Sequence, residues 1–407
     1  MTKKVLSGVF YISILLFACN SDGNKQKEQP ADIVKLLQEQ LINAVAGDVV
    51  SIPAGHFEFN RSITLDGIDS ITIQGAGRDK TILSFKGQVS GAEGLKISAN
   101  GVIVKDLAIE DTKGDAIKIQ DSKGVTLSNL KVSWTGGPSP ENGAYGLYPV
   151  SCQNVLIEGC EVSDASDAGI YVGQSIDVVV RNNTAFNNVA GIEIENCIRA
   201  DVYGNEAYEN TGGIFVFDLP ELPQKNGHTV RLHDNTIRDN NYVNFAPEGN
   251  TVALVPSGTG VLIMSTREVE IFGNKILNHH TTSTSVVSYL LTQNPFEDSL
   301  YNPYSYGIYI HDNEYVQNSA MPDTSKDMGR LVAGLFGTEV PEIIYDGMMD
   351  PDMVNEDGSI TDQARICIQN NGEIQFANIN APSGFKQVST NLDHYNCELQ
   401  ALNPVEL

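Results

Sequence analysis

Apolar and polar residues alternate over short stretches that recur along most of the chain. Residues 155–173 read VLIEGCEVSDASDAGIYVG, and residues 178–195 read VVVRNNTAFNNVAGIEIE. Each copy contains an alternating run, then a small or amide residue, then a second alternating run that follows a glycine. Alternation with a period of two predicts short strands with one buried face. The repetition indicates stacked supersecondary units.

The same pattern continues in register beyond these two copies. Where no insertion interrupts it, the unit is 22 or 23 residues long, which leaves room for two or three brief strands and no helix. We therefore predict an all-β solenoid, a parallel β-helix in which each unit forms one coil. The units begin at Val102, Val125, Val155, Val178, Ala200, Val230, Val269 and, more weakly, Ile308.

One column of the aligned units is dominated by asparagine. Its members are Leu107, Leu130, Cys160, Asn183, Asn205, Asn235, Asn274 and Asn313. Stacked asparagines can hydrogen-bond from coil to coil where the chain turns, so this column predicts an inward-facing structural ladder with no catalytic role.

The second alternating run of each unit separates inward from outward side chains. Residues such as Ile170 and Ile192 should enter the core, and their neighbours should face solvent. The first outward column reads Lys118, Tyr148, Tyr171, Glu193, Phe215 and Leu262, and the second reads Gln120, Val150, Gly173, Glu195, Phe217 and Met264.

This outward face is the candidate functional site, because aromatic rings stack on sugars while lysine and carboxylate groups bind hydroxyls and carboxylates. Asp115, Asp164 and Asp167 lie on loops that enter it. A structural alternative stays open, since aromatic ladders also stabilise exposed parallel strands. The candidate catalytic residues are Lys118, Tyr148, Tyr171 and Glu193, and the candidate substrate-binding residues are Asp115, Tyr145, Asp167, Glu195, Phe215 and Phe217.

Four insertions interrupt the repeat next to this face. Residues 136–143, 240–257 and 278–305 precede the second run of their coils, and residues 218–228 follow it. Insertions in repeat proteins commonly map to the binding face, so these four are expected to wall a cleft.

The N-terminus predicts export and lipid anchoring. Lys3 and Lys4 precede a short apolar run that ends in Leu-Phe-Ala-Cys19, and this resembles the bacterial lipoprotein signal. The resemblance implies removal of residues 1–18, lipidation of Cys19 and a flexible tether over residues 19–30. Asn20 favours the outer membrane, with the side that the protein faces undetermined. An ordinary signal peptide is the alternative.

An amphipathic helix within residues 31–48 should cap the first coil and bury Ile33, Leu36, Leu37, Leu41 and Ile42. It is followed by GDVVSIPAGHF (residues 47–57) and ITIQGAG (residues 71–77). This order resembles the entry into pectate-lyase-like right-handed β-helices, and the resemblance covers about residues 31–318. It implies a right-handed β-helix over residues 49–318.

The stretch Tyr145-Gly146-Leu147-Tyr148-Pro149-Val150 resembles the Y-G-x-D-P-H motif of β-helical mannuronan C5-epimerases, with Lys118 one coil earlier. In that family a tyrosine, the Asp-His pair and a lysine or arginine handle proton removal beside a uronate carboxylate. Tyr148 and Val150 stand where the Asp and His are expected, and the missing imidazole removes the usual proton carrier near neutral pH.

Charge and cysteine content narrow the choice of partners. The net charge of −25 disfavours nucleic acid and anionic membrane surfaces, so lipid-anchored attachment is the only membrane contact expected. Cys152, Cys160 and Cys197 are interpreted as core residues, whereas Cys367 and Cys397 could pair in an oxidising compartment. No cofactor motif is evident, although calcium could bridge to an anionic polysaccharide. His279 and His280 are interpreted as ordinary loop residues.

Beyond residue 318 the repeat fades, and residues 319–407 predict a C-terminal cap or small accessory region with a short helix over residues 327–336. The phrases DAGIYVGQS and VAGIEIEN together with this ending resemble a family of bacterial lipoproteins with tandem β-helix repeats. That resemblance implies fold and location, and no reaction.

Two functional hypotheses follow. The first is an enzyme, a lyase or epimerase of uronate chains, in which Lys118 neutralises or deprotonates beside the carboxylate, Tyr148 or Tyr171 transfers a proton, and Glu193 and Glu195 position sugar or metal. The second is a non-catalytic cell-envelope protein that binds glycan or a partner protein through the same face.

Overall fold

The computed structural model describes residues 30–407, and within them three parallel sheets wind around one core. The signal, Cys19 and the tether lie outside the described residues. Each coil except the last, which has no strand in the second sheet, contributes one strand to each sheet, and this confirms the predicted parallel β-helix. The strands are numbered along the chain.

The first sheet is entered after the helical cap and contains eleven of the strands described. They are β1 (Val49–Ser51), β4 (Thr72–Gln74), β7 (Val102–Lys105), β10 (Lys123–Ser128), β13 (Gln153–Glu158), β16 (Ile176–Arg181), β19 (Ile198–Tyr203), β22 (His228–His233), β25 (Arg267–Phe272), β28 (Tyr306–His311) and β31 (Ile366–Gln369).

The second sheet follows a turn of two residues in most coils and is built mostly from three-residue strands. They are β2 (Gly55–Glu58), β5 (Thr81–Ser84), β8 (Ala108–Glu110), β11 (Lys131–Ser133), β14 (Glu161–Ser163), β17 (Thr184–Phe186), β20 (Glu206–Tyr208), β23 (Thr236–Arg238), β26 (Lys275–Leu277) and β29 (Glu314–Val316).

The third sheet carries the candidate site. Its strands are β3 (Arg61–Asp66), β6 (Ser90–Ser98), β9 (Ile117–Gln120), β12 (Tyr145–Val150), β15 (Ala168–Gly173), β18 (Ala190–Glu195), β21 (Gly212–Phe217), β24 (Thr259–Met264), β27 (Thr282–Val287), β30 (Ile343–Tyr345) and β32 (Phe376–Asn378).

The register of the first sheet confirms the predicted repeat. Val155 pairs with Val178, Val178 with Ala200, and Val269 with Ile308, so the proposed unit starts stack directly on one another. Their side chains are buried in one continuous core together with the inward residues of the other two sheets. Each coil therefore buries its apolar face against its neighbours, as expected of a solenoid.

The asparagine ladder is also confirmed. Asn183 donates from its amide to Asn205 at 3.0 Å, and the same bond links Asn205 to Asn235 at 2.9 Å. The ladder continues through Asn274 and Asn313 to Asn371. The preceding turn residue is left-handed, for example Asn182 at φ 55°, a conformation that glycine, asparagine and aspartate tolerate best.

A second ladder, which the sequence pattern did not reveal, lies where the chain leaves the second sheet. Asn188 donates to Asn210 and Asn210 to Asn240, at 3.0 and 2.8 Å. His279 ends the row with Nε2 3.1 Å from the Asn240 amide nitrogen. The prediction that His279 is an ordinary loop residue is therefore wrong: it is fully buried, and burial lowers the pKa of its imidazole to about 3.

The helix α1 (Pro30–Asn43) lies at the N-terminal end of the solenoid, as predicted. Leu37 and Leu41 are buried against the first coil, whereas Leu36 and Ile42 are exposed, so the predicted buried stripe was too wide. Short 3₁₀ helices occupy Thr251–Leu254, Tyr289–Thr292, Pro351–Met353, Asp362–Ala364, Ala381–Ser383 and Asp393–Tyr395.

The C-terminal region continues the solenoid beyond residue 318. The helix α2 (Asp327–Phe336) confirms the predicted short helix, and the later strands β30, β31 and β32 extend the first and third sheets. A disulfide joins Cys367 to Cys397, as the sequence suggested. Cys152, Cys160 and Cys197 are free and buried, in agreement with their interpretation as core residues.

Candidate functional site on the third sheet

The outer face of the third sheet carries the predicted columns. Lys118 pairs with Tyr148 across β9 and β12, Tyr171 with Glu193 across β15 and β18, and Glu193 with Phe215 across β18 and β21. Their inward neighbours, such as Ile170 and Ile192, are buried in the core. The predicted division between inward and outward side chains on these strands is therefore correct.

The prediction that the whole column faces solvent is wrong. Tyr171, Glu193, Phe215 and Phe217 point away from the core, yet they are 4, 3, 1 and 8 % exposed. Insertions fold over this part of the sheet and cover it. Alternation shows which face a side chain occupies, and it contains no information on what covers that face.

The covering residues form a second apolar cluster, which we call the outer apolar cluster. It joins Phe215, Phe217 and Met264 on the strands to residues of the insertions, among them Val252, Tyr289 and Tyr301. The Tyr301 hydroxyl donates to the backbone oxygen of Asp218 at 2.8 Å, and Lys225 lies 2.7 Å from Asp298, so two insertions are fixed to each other.

All four insertions border the third sheet, as predicted, but one is placed differently. The predicted insertion over residues 278–305 contains the strand β27, and the loop begins only after Val287. The sequence of β27 is TSTSVV, without the apolar alternation of the other strands, and all six residues are buried. Its hydroxyl-bearing side chains are enclosed between the core and the loops, so the pattern gave no sign of a strand.

The open part of the outer face lies over β9 and β12. Lys118, Gln120, Tyr145 and Tyr148 are partly exposed there, next to the loop that precedes β12. Lys118 places its ammonium nitrogen 4.7 Å from the centre of the Tyr148 ring. This cation–π contact holds the ammonium group over the ring of Tyr148, where it stays partly exposed.

Three tyrosines pack against one another beside this opening. The Tyr145 ring lies 4.6 Å from that of Tyr148 and 4.5 Å from that of Tyr171, and Tyr148 and Tyr171 are 5.0 Å apart. The Tyr171 hydroxyl donates to the Glu195 carboxylate. The tyrosines therefore form a contact path from the accessible Tyr148 to a buried carboxyl group.

Four carboxyl groups lie behind and beside the tyrosines, and burial is the main cause of the raised pKa of each. The pKa of Asp115 is raised to about 6, with Lys118 opposing the rise. Burial and the neighbouring Glu195 raise the pKa of Asp167 to about 7, and burial raises that of Glu195 to about 7. The pKa of Glu193 is raised well above its usual value by burial, Asp167 and Glu195.

These groups can exchange protons near neutral pH. Asp115, Asp167 and Glu195 are close to half-protonated between pH 6 and 7, the range in which a general acid or base works best. Tyr148 keeps its proton, because burial and the surrounding carboxylates raise its pKa to about 12. The structure thus brings together Asp115, Lys118, Tyr145, Tyr148, Asp167, Tyr171, Glu193 and Glu195.

Two further polar residues belong to the site and were missed. The Asn250 amide, from an insertion, lies 3.5 Å from a carboxylate oxygen of Asp167. Asp218 is buried, and burial raises the pKa of its carboxyl group to about 7 although the amide of Gly227 donates to it. In the sequence, Asp218 is recognisable only as the first residue of an insertion. No repeat pattern predicts that Asn250 lies beside Asp167, which is 83 positions away.

Among residues 30–407, no three His, Cys, Asp or Glu side chains are grouped so as to hold a metal ion. The same residues contain no helix that is both long and apolar enough to cross a membrane.

The arrangement of sheets and ladders defines the class of the protein as a parallel β-helix solenoid with an elaborated third sheet. A family model described as "Right handed beta helix region" matches residues 90–243 and, in a second overlapping match, residues 141–321. The chain belongs to this right-handed β-helix family. No curated protein matches the chain.

The chain is also similar to solved structures, among them an epimerase module and a polygalacturonase. The mannuronan C-5 epimerase AlgE4 A-module of Azotobacter vinelandii is 15% identical in sequence and superposes with a TM-score of 0.52. The match covers 78% of this chain and 87% of the module. Polygalacturonase from Erwinia carotovora is 11% identical over 70% of this chain and 90% of its own, with a TM-score of 0.47. The likeness to the epimerase module shows a shared fold.

Proposed function

We propose that the chain binds uronate-containing polysaccharide at the open part of the third sheet and catalyses proton transfer there, as a lyase or an epimerase. The observation that carries the proposal is the position of Lys118 over the ring of Tyr148, close to Asp115, whose carboxyl group has a pKa raised to about 6. The mannuronan C-5 epimerase module, which shares the fold, is named for activity on a polysaccharide, and this is consistent with the proposed substrate class.

Lys118 is the residue suited to the uronate carboxylate. Its ammonium group is partly exposed in a site otherwise rich in carboxyl groups, and it neutralises the charge that grows when a proton leaves the adjacent carbon. The carboxyl groups oppose binding of an anion only when they are ionised. Their raised pKa values therefore favour binding at or below neutral pH.

Proton transfer is assigned to Tyr148 and Asp115. Asp115, with a pKa of about 6, accepts the proton from the carbon next to the uronate carboxylate. Tyr148 donates its hydroxyl proton, either to the opposite face of that carbon in epimerisation or to the departing glycosidic oxygen in elimination. Tyr145, Tyr171, Asp167 and Glu195 hold protons behind Tyr148. Tyr171 and Glu193 are buried, so they act on the sugar only through other residues.

A second candidate function is glycan or partner binding without chemistry. It is favoured by the outer apolar cluster, which fills the centre of the face, and by the replacement of the epimerase-motif Asp and His by Tyr148 and Val150. In that case Lys118 and the tyrosines form a binding surface and take no part in catalysis.

The test is an incubation of the chain, expressed from residue 20, with alginate, pectin and related glycans. We expect unsaturated products in ultraviolet absorbance or deuterium uptake from D₂O, reduced at least about 100-fold in Lys118→Ala and Tyr148→Phe. Lys105→Ala, on the first sheet, is the matched control and should keep full activity. Parallel reactions with EDTA and with added Ca²⁺ test whether calcium bridges the protein to the anionic polysaccharide.

Binding without turnover across the panel would replace the enzymatic proposal by the second candidate. Absence of binding to every glycan, with a folded protein, would contradict the enzymatic proposal and the glycan-binding form of the second candidate, and would leave partner binding.

We also propose that Cys19 is lipidated and anchors the protein in the outer membrane, by the resemblance of residues 1–19 to lipoprotein signals. Cys19→Ala should move the protein from the membrane fraction to the soluble fraction. Sucrose-gradient separation of inner and outer membranes identifies the membrane, and protease treatment of intact cells identifies the side.

A further inference from the structure

The last ten residues of the chain cross the outer face of the first sheet, and we call residues 398–407 the C-terminal strap. The strap follows Cys397, which forms a disulfide with Cys367 in β31, the last strand of that sheet. The backbone N–H of Leu402 donates to Glu270 in β25, and that of Val405 donates to Asp201 in β19, both at 2.9 Å. The strap therefore runs back along the solenoid, across the strands.

The strap is held by few interactions. Within the described residues it forms no backbone-to-backbone hydrogen bond and contains no strand, and none of its ten residues is fully buried. Leu399, Leu402 and Val405 are half-buried, and the seven residues around them are exposed. Such a segment can leave the sheet without unfolding any coil.

The spacing of these contacts fits an extended chain laid on a β-helix. Successive coils lie about 4.8 Å apart, so Asp201 and Glu270, two coils apart, are separated by about 9.6 Å. Three residues of a polyproline-II-like chain span about 9.3 Å. Every third residue of such a chain meets every second coil, which matches the half-buried Leu399, Leu402 and Val405.

The face under the strap is built to receive backbone N–H groups. Asp201 and Glu270 are 3 and 4 % exposed, with Arg231 between them in the register of the sheet. Arg231 lies 2.8 Å from Asp201 and 3.9 Å from Glu270, and His311 lies 3.2 Å from Glu270. The two carboxylates bind backbone N–H groups of the strap. The strap side chains therefore affect binding through the spacing of the half-buried apolar residues.

The strap does not fill this face. A groove of about 490 Å³ remains at its end, lined on the sheet by Leu156, Val179 and Tyr203 and on the strap by Val405 and Leu407. Val179 points outward from the sheet and is 4 % exposed, so it forms the covered base of the groove, whose walls also include two arginines and a histidine. A chain longer than the strap has room for further residues in this groove.

We propose that the outer face of the first sheet is a docking groove for an extended segment of a partner protein that carries an apolar residue at every third position. The C-terminal strap occupies this groove as an intramolecular competitor. The partner replaces the strap, donates backbone N–H groups to the same two carboxylates, Asp201 and Glu270, and extends into the groove beside Leu156. This inference is independent of the function proposed for the third sheet.

The experiment measures fluorescence anisotropy of a labelled peptide, ELQALNPVEL, which is the sequence of residues 398–407. The binding protein is the full chain with Leu402→Asp and Val405→Asp, which releases the strap. The matched control is the full chain with Ala401→Asp and Asn403→Asp, because both positions are exposed and the added charge is equal. A tethered strap acts at an effective concentration near millimolar, so its release should strengthen peptide binding at least about 10-fold.

Two competitor peptides test the recognition chemistry. An unrelated peptide with leucine at every third position should displace the probe from the released chain, and the same composition with leucine at every fourth position should not. Glu270→Gln in the released chain should weaken probe binding at least about 10-fold, with an unchanged circular dichroism spectrum at the assay temperature as evidence of folding.

The proposal is overturned if the released chain does not bind the probe, or if both competitors displace it equally. It is also overturned if light scattering shows that the wild-type chain forms dimers by exchanging straps, since the partner would then be a second copy.

Discussion

At the scale of single residues, Glu193 has a buried side chain whose carboxyl group lies near two other acids, Asp167 and Glu195. Burial and two neighbouring carboxylates raise its pKa well above the usual value. The folded state then binds a proton that the unfolded state releases above about pH 4.5, so this residue lowers stability progressively as pH rises. A buried acid retained at that cost is a candidate for a functional role.

We expect Glu193→Gln to raise the melting temperature at pH 8 and to change it little at pH 5, because the amide has the same shape and no charge to lose. Thermal unfolding followed by circular dichroism at both pH values measures this. The control is Glu314→Gln, an exposed glutamate in β29, which should show no pH-dependent difference. An equal effect at both pH values would show that ionisation of Glu193 does not matter.

The proposed chemistry predicts a bell-shaped pH dependence. Asp115 must lose its proton to act as a base, so kcat/KM rises with pH through about 6. Asp167 and Glu195 become anionic above about 7 and repel the uronate, so kcat/KM falls at higher pH. Initial rates from pH 4.5 to 9 on the preferred glycan measure this profile, and Glu195→Gln should move the falling limb. A flat profile over this range would contradict the assigned roles.

The asparagine ladder provides a structural prediction at the same scale. Asn205→Ala removes the acceptor of the Asn183 backbone N–H and amide, both at 3.0 Å, and the donor to Val180. Leaving buried groups unpaired in this way should cost about 3 kcal/mol in the free energy of unfolding. Asn318→Ala, at an exposed position, is the control and should change stability by less than about 0.5 kcal/mol. Denaturant titration measures both.

At the scale of elements, the insertions decide what the third sheet can do. The strands place Lys118, Tyr148, Tyr171 and Glu193 in one column, and this placement was predictable from alternation. The loops then cover Tyr171 and Glu193 and leave Lys118 and Tyr148 accessible. The path of a long loop depends on contacts with distant residues, such as that of Tyr301 with Asp218. The sequence therefore located the loops but could not predict which strand residues they cover.

The disulfide at the C-terminal end gives a prediction at this scale. It closes a loop with a sequence separation of 30 residues, so Cys367→Ser with Cys397→Ser should lower stability by about 3–4 kcal/mol. Thermal unfolding with and without a reductant measures the effect. Reductant should lower the melting temperature of the wild-type chain to that of the double variant, and it should leave the double variant unchanged. A double variant as stable as the oxidised wild type would contradict the prediction.

At the scale of the whole molecule, buried acids and net charge act in the same direction. The pKa values of Asp167, Glu195 and Asp218 are each raised to about 7, and those of Asp115 and Asp346 to about 6, mainly by burial. Because each folded-state pKa is above the unfolded value, these acids contribute most to stability below about pH 4 and lose that contribution as pH rises to about 7. The net charge of −25 adds repulsion over the same range.

We therefore expect the melting temperature to fall by several degrees between pH 5 and pH 8 at low salt, since one pKa unit corresponds to about 1.4 kcal/mol. Differential scanning calorimetry at 20 mM and 500 mM salt separates the two causes, because salt screens surface repulsion and affects the buried acids little. A melting temperature that rises with pH would contradict the raised pKa values.

The sequence by itself determined the solenoid, because the period of the repeat, the alternation of apolar residues and the asparagine column are local signals that every coil repeats. Only the tertiary structure decided which outward residues stay accessible, that β27 is a strand, and that residues 398–407 lie on Asp201 and Glu270. Those features depend on contacts between segments far apart in the chain, made once each. A pattern that occurs once carries no period from which it could be inferred.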